Sequence, residues 1–459
     1  MFVYDGELND RNLREIFSGA GDFVRREICC CGQKLYAYAI DGLIASGDAS
    51  EYVLKPIVER LEGATMRQLF DRALGGAVFN VVASVCADLG DAALKLVNGF
   101  FVVLFPEIGA LAFEVKTPDK RGTSAPDVEN TLKGAKDAFV ETVRSNTSYV
   151  RRHLRTPMLR LYETQVGHQS LTNVSVLWIE NVTNPELVER MIKRLRSIDI
   201  EGLITPAAVE ECITGSRKTA FPLLQYTERA DRFSQGLLEG RVGILVDGLP
   251  IGYLAPVDIG YLMNSPEDHS RDYISASWVR ILRYSALVIN LLLPAVYIAM
   301  TVYHESLIPN VLLQIIRESR DNLPYTAAWE VIGLLIAFEL LQDSGIHLPQ
   351  NIGQSVSIIG GIILGTTAVE AGLISPMALI VVSVAGISGF VIPNRDLAAA
   401  IRVCRFFLAV LASCAGLTGV VIGLLAIVIH LCCLKSLGVR YVILFEPGIV
   451  RKRIRNKQK

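Results

Sequence analysis

Most signatures of catalysis are missing from this sequence. There is no nucleophile elbow, P-loop or HExxH, and no GxGxxG in a strand-to-helix context. The six histidines, His153, His168, His269, His304, His347 and His430, are scattered along the chain. No CxxC pair exists, and no His/Cys cluster has metal-ligand spacing. These absences leave no legible enzymatic site and no expected cofactor or metal, so receptor, channel or assembly roles rise by elimination. An excess of either charge is lacking too: 45 Lys+Arg stand against 46 Asp+Glu, a net charge of −1. Without a basic field a nucleic-acid partner is not expected. The start, MFVYDGELNDRNLREIF, has no basic region leading into an apolar run, so no secretory signal is expected and the N-terminal half should stay in the cytosol.

Long apolar runs are absent from residues 1–283 and crowd into 284–434. Over 459 residues the chain is 51% hydrophobic with a mean hydropathy of +0.38, yet 20% of it is charged. Two solvents are implied, a soluble half followed by a membrane half. The expected fold class is an α/β cytosolic region of two small subdomains, then an α-helical transmembrane bundle. The boundaries are 1–116, 117–270, 271–440 and a basic cytosolic tail at 441–459. The nine cysteines include the run Cys29, Cys30, Cys31 and the pair Cys432, Cys433. Free thiols are expected; palmitoylation of Cys432 and Cys433 or redox sensing by the triple run are the functional alternatives.

In the soluble half, KLYAYAIDGLI at 34–44 predicts a strand ending in a turn, then a helix over EYVLKPIVERL. Residues 95–116 predict a hairpin around Pro106 and Gly109. After the breaker at 116–127 a helix is expected up to Leu154, followed by strands in LRLYETQVG and NVSVLWIENV. Asn184-Pro185 opens an amphipathic helix and Thr205-Pro206 a shorter one. Gly240 suits a helix C-cap, and LLEGRVGILVDGLP at 237–250 begins a β-hairpin that PIGYLAPV completes. Two readings stay open for its charges. Glu228, Arg229, Asp231, Arg232, Glu239, Arg241 and Asp247 are either solvent-facing or form an interdomain or intersubunit coupling clamp.

In the membrane half, four spans are expected, at 284–303, 355–372, 373–393 and 416–434. Residues 329–342 read as a half-helix or interfacial helix, and 397–414 as interfacial. One feature resists this count: Arg395, Arg402 and Arg405 would lie on the outer side, against the positive-inside bias, so a fifth spanning or re-entrant element is an alternative. Gly361 and Gly365 form a GxxxG pair suited to close helix packing. Ser355, Ile359, Ile362, Thr366 and Glu370 share one helix face, a stripe that could line a pore with an apolar waist and a carboxylate ring. The alternative is that Glu370 snorkels at a helix end. Glu330, Glu339 and His430 are weaker candidates.

The segments IDGLIASGDASEYVLKPI (40–57), DAFVETVRSNTSYVRRHL (137–154) and FPLLQYTERADRFSQGLLEGRVGILVDGLPIGYLAPV (221–257) carry a resemblance. LLLPAVYIAM, HESLIPNVLL, GIHLPQNIGQSVSIIGGIILGTTAVEAGLISP and HLCCLKSLGVRY continue it in order. Together they resemble the A subunits of GerA-type spore germinant receptors and their stage V sporulation AF relatives. The resemblance implies an integral protein of the inner spore membrane acting in germination, with no enzymatic activity. It implies a ring homo-oligomer, a pentamer, forming a nutrient-gated cation channel among membrane lipid. Its partners would be a transporter-like B subunit and a lipoprotein C subunit, or a small membrane partner for a stage V relative. The TERADRF hairpin would then be a coupling or intersubunit element. Two departures stand out: Ala230 replaces the family's usual Pro, and the start lacks the long polar extension of some members.

Overall fold

The computed structural model describes residues 4, 6–30, 32–60, 65–78, 82–116, 129, 135–215, 219–265, 267–268, 272–321, 323–347 and 365–442. Two sheet units precede a helical bundle. The first contains α1 (Asp10–Ile16), β1 (Phe23–Cys30), β2 (Gln33–Ile40), helical runs over 46–60 and 66–77, β3 (Ala83–Cys86), α2 (Leu89–Val97), β4 (Phe100–Phe105) and β5 (Gly109–Glu114). The second contains α3 (Val143–His153), β6 (Leu159–Val166), β7 (Thr172–Ile179), α4 (Pro185–Arg196), α5 (Pro206–Thr214), β8 (Gln225–Thr227), α6 (Ala230–Leu238), β9 (Val242–Val246) and β10 (Gly252–Ala255). Both sheets are five-stranded and antiparallel, ordered β1-β2-β4-β5-β3 and β6-β7-β9-β10-β8. The two units therefore repeat one topology, which the dissimilar sequences of the halves do not announce.

β9, VGILV, is buried at all five positions because both faces are covered. Val242, Ile244 and Val246 meet Leu187 and Met191 of α4, whereas Leu245 meets Phe233 and Leu237 of α6. The Phe233 ring lies against the backbone of Gly243 and of Gly252, where a Cβ would come within 2.7 Å of it. Those two glycines are thus explained by the close approach of an aromatic ring.

Two local expectations are corrected, and some elements had none. The helix expected from about 137 begins at Val143, because 138–139 is claimed by the second sheet unit: Ala138 bridges Arg229, and Phe139 N–H donates to Glu228 O at 2.7 Å. Residues 95–97 close α2, capped at its start by Asp88 on Asp91 N–H at 2.7 Å, before the expected hairpin begins at Phe100. Strands β1, β3 and β8 and helix α2 had no sequence reading; β1 exposes Val24, Arg26 and Glu27, and β8 is only three residues long.

The two units are joined by a buried ion pair. Arg151 of α3 and Asp22 are each 1% exposed and form a two-bond fork at 2.7 Å. Beside it Gly21 N–H donates to Leu161 O at 2.8 Å, and Arg160 donates to Ile16 O at 2.9 Å.

The bundle comprises α7 (Tyr273–Val302), α8 (Asn310–Glu318), α9 (Ala327–His347), a short helix at 365–370, α10 (Pro376–Phe390) and α11 (Arg395–Cys433). Among the described residues two of these are long and apolar enough to cross a membrane, α7 and α11. The 284–303 expectation holds as the apolar part of α7, which begins eleven residues earlier with Asp272 capping Ser275. Residues 329–342 lie within the 21-residue α9, longer than the half-helix expected. The 373–393 expectation shrinks to the 15 residues of α10. Residues 355–364 lie outside the described residues, so only the end of the 355–372 expectation is seen.

α11 takes in both the 397–414 and the 416–434 expectations. As one straight rod its 39 residues would reach about 58 Å. Instead the chain folds back at Gly416, at φ 59° and ψ −140°. A Cβ on Gly423 would come within 2.5 Å of Leu408, and one on Gly419 would strike the Leu411 carbonyl. Contacts between residues eight and fifteen apart mean two arms packed against each other. The turn sits at the far end of α7, where the Tyr303 hydroxyl donates to the carbonyl oxygens of Ser413 and Cys414 at 2.7 and 3.1 Å.

Candidate functional site

The charges of the TERADRF segment and its hairpin close mostly on one another. Arg229 is 1% exposed and holds Asp231 at 2.9 and 2.5 Å; Asp231 also accepts from Arg232 N–H at 2.7 Å. Arg232 pairs with Glu129, which also accepts from Thr227. Arg241 reaches Asp258 at 3.1 Å and the Pro256 carbonyl, lies 3.5 Å from the Tyr261 ring centroid, and is 3.7 Å from Glu239. Asp247 caps α3 by accepting from Val143 N–H at 2.9 Å. Glu228 is half-buried, and its carbonyl holds Phe139. The arrangement welds the 138–143 segment, α6 and the hairpin into one block.

The joint to the bundle lies beyond the hairpin, in residues of which the sequence had singled out His430 but not the rest. After α11 the chain forms β11 (Lys435–Ser436) and β12 (Val439–Arg440), a small hairpin seated on the second unit. Leu437 and Val439 enter the core of the second sheet, and Tyr441 is fully buried beside Phe221, ring centroids 6.3 Å apart. Ser436 Oγ donates to Leu223 O at 2.7 Å and accepts from Val257 N–H at 2.9 Å, while Tyr441 O accepts from Ile259 N–H at 3.2 Å. At the other foot of α11, Asn394 donates to Gln225 Oε1 at 2.8 Å. His430 Nε2 lies 3.0 Å from Thr219 Oγ1. Arg283 at the base of α7 is buried against Asp268 at 2.5 and 2.8 Å. Burial pushes the Asp268 carboxyl up, but the Arg283 bonds, the Ser265 N–H and the nearby arginine charges together outweigh it and hold the group below its ordinary value. Both feet of α11 are therefore pinned to the second sheet unit, and α7 is pinned to the segment that links it to that unit.

Replacing Ser436 with Ala should expose this dependence. It strands a buried carbonyl and a buried N–H, a cost of about 2 kcal/mol. Hydrogen exchange should quicken at 219–225 and 256–262, with the first sheet unit unchanged.

Within the bundle the structure promotes Glu339 and adds two arginines. Arg402 lies 3.0 Å from Glu339 and donates to Gln342 at 2.7 Å; Arg405, 3% exposed, reaches Glu339 only at 4.0 Å. Glu330 is buried, accepts from Ser375 N–H at 3.0 Å and faces Arg320 at 3.5 Å. Asn290 is 1% exposed and packs on Gly389 with both amide atoms unpaired. Opposite charges in two separate apolar segments, Glu339 in one and Arg402 with Arg405 in the other, were the sequence signal for the first of these. Of the proposed stripe, Thr366 and Glu370 are exposed one turn apart, and Ser355, Ile359 and Ile362 lie outside the described residues. Of the packing pair, Gly361 lies outside them too, whereas Gly365 is buried against Leu379, 3.4 Å from the place of a Cβ. Among the described residues no group of three His, Cys, Asp or Glu could hold a metal ion.

The sequence profile described as Bacillus/Clostridium GerA spore germination protein matches residues 11–456. The chain belongs to the GerA family. Among this GerA-family chain's relatives in Bacillus subtilis (strain 168), the uncharacterized membrane protein YfkQ is 33% identical over 445 residues, 96% of this chain and 86% of YfkQ. Spore germination protein B1 is 32% identical over 419 residues, 91% of this chain and 86% of that protein. Spore germination protein KA is 30% identical over 447 residues, 96% and 80% of the two chains. A solved structure, the N-terminal domain of the A subunit of the Bacillus megaterium germinant receptor GerK3, aligns with TM-score 0.42 and 25% identity, covering 53% of this chain and 91% of that one. By its family the chain is a spore germination protein, with two sheet units ahead of its apolar helices.

Proposed function

We propose that this GerA-family chain is the A subunit of a germinant receptor in the inner spore membrane, non-enzymatic, whose copies surround a nutrient-gated passage for monovalent cations. The observation that carries the reading is the joint: both feet of α11 are bonded to the second sheet unit and α7 to the 263–268 segment that connects it to that unit, so a displacement of the unit is passed to the apolar helices. The sheet units and the basic tail face the cytosol in this reading. Arg395, Arg402 and Arg405 then rise from the cytosolic foot of α11, in keeping with the positive-inside bias. Glu370, exposed above Thr366, supplies the carboxylate ring at the mouth of the passage. A ring of copies, a pentamer, working with a transporter-like B subunit and a lipoprotein C subunit completes the receptor.

Full-length protein in liposomes, with its partner subunits present, should pass K+ and be larger than a monomer by light scattering in detergent. Glu370→Gln should lower the flux severalfold without changing the assembled size. Tight liposomes, or a solitary monomer, would overturn the channel and leave a non-conducting scaffold.

A further inference from the structure

At the joint, α5 and the first turn of α11 face each other across a cleft of about 320 Å3. Glu210 and Glu211 of α5 and Asp396 of α11 line it, with Thr214, Thr219 and Phe221 between them. No Lys, Arg or His side chain is among the described lining residues. The bases of the surrounding elements are placed elsewhere. Arg194 of α4 donates to the Ile213 carbonyl near the end of α5, and Arg395 begins α11 near Tyr226. His430 stays on the rim against Thr219 and Phe221. From the sheet, Tyr226 and Tyr253 approach as phenols that burial pushes far above neutrality. Two carboxyl groups from separate parts of the molecule, Glu210 and Asp396, thus meet across a cleft whose described lining residues include no cation.

We propose that this cleft is a proton-sensitive latch between the second sheet unit and the apolar hairpin, closed when Glu210 is protonated and loosened when Glu210 is ionised against Asp396. Burial, and after it the charge of Asp396, pushes Glu210 up to about 7 from its ordinary 4.5. A carboxyl raised in the closed state favours closure at low pH. The closed form loses stability as the pH climbs from about 4.5 to about 7, and loses no more above that. Glu210 is only partly buried, so solvent screens some of this effect. The latch rests on the reading of the joint as the coupling element, but it acts whether or not ions are conducted.

The test is hydrogen exchange of the full chain in lipid nanodiscs, corrected for the intrinsic pH dependence of amide exchange. Protection of the α5 amides should fall about tenfold between about pH 5 and pH 8, with α4 unchanged. Glu210→Gln should keep the α5 amides protected at the higher pH, and Asp396→Asn should shrink the fall. Should Gln at 210 disturb the packing, Asp396→Asn alone decides. Flat wild-type protection, or a full fall in either variant, would overturn the latch. Because exchange reads the joint and not ion flux, that outcome is separable from a failure of the channel.

Discussion

Asp22→Ala is expected to cost about 3–5 kcal/mol, because it strands the Arg151 guanidinium in a site 1% exposed with the carboxylate of its two-bond fork removed. The substitution lies in neither sheet, so its effect falls on the seam. Hydrogen exchange should rise together along 16–22, the start of β6 and α3, and denaturant unfolding should split into two transitions as each sheet unit melts alone. A control separates charge from fit: the double variant Asp22→Asn with Arg151→Gln removes both ions, and should recover a large part of the loss. Single-step unfolding of the alanine variant near the wild-type midpoint would show that the seam does not depend on this pair.

The second large effect is expected at Gly416. Its φ of 59° with ψ of −140° is a region open essentially to glycine alone, and a Cβ there would also lie 3.0 Å from Tyr303. Gly416→Val should cost at least about 2 kcal/mol and splay the two arms of α11. A disulfide between Cys residues placed at Leu408 and Gly423 makes a direct readout only if Cys is tolerated there, which the close packing at Gly423 forbids. Accessibility of Cys414 to a membrane-impermeant thiol reagent is the better measure. Cys414 lies two residues from the turn and its carbonyl is held by Tyr303, so its labelling rate should change severalfold in Gly416→Val. An unchanged rate and an unchanged melting temperature would remove the turn from the bundle's requirements.

The hairpin at 242–255 was legible because its pattern is local: a turn at Asp247-Gly248 between apolar runs fixes the pairing wherever the strands lie. The apolar part of α7 from residue 284 and the caps of α4 and α5 were legible for the same reason. β1 and β3 were not: exposed residues interrupt the apolar pattern of both, and β3 pairs with β5 across an intervening helix and strand. The candidate site divided in the same way. Arg229 with Asp231 is a pair two residues apart that the sequence could suggest, whereas Arg232 with Glu129 spans 103 positions and Ser436 with Leu223 spans 213.

By itself the sequence determined the partition of this protein between two solvents, its family and its short-range elements, because composition, periodicity and turn chemistry act over a few residues. Only the tertiary structure decided that both sheets share one strand order, that α11 doubles back at Gly416, and that the segment after α11 returns to lock onto the second sheet. Those features depend on contacts between residues far apart in the chain, and the energy of such a contact belongs to neither partner until folding has brought the two together.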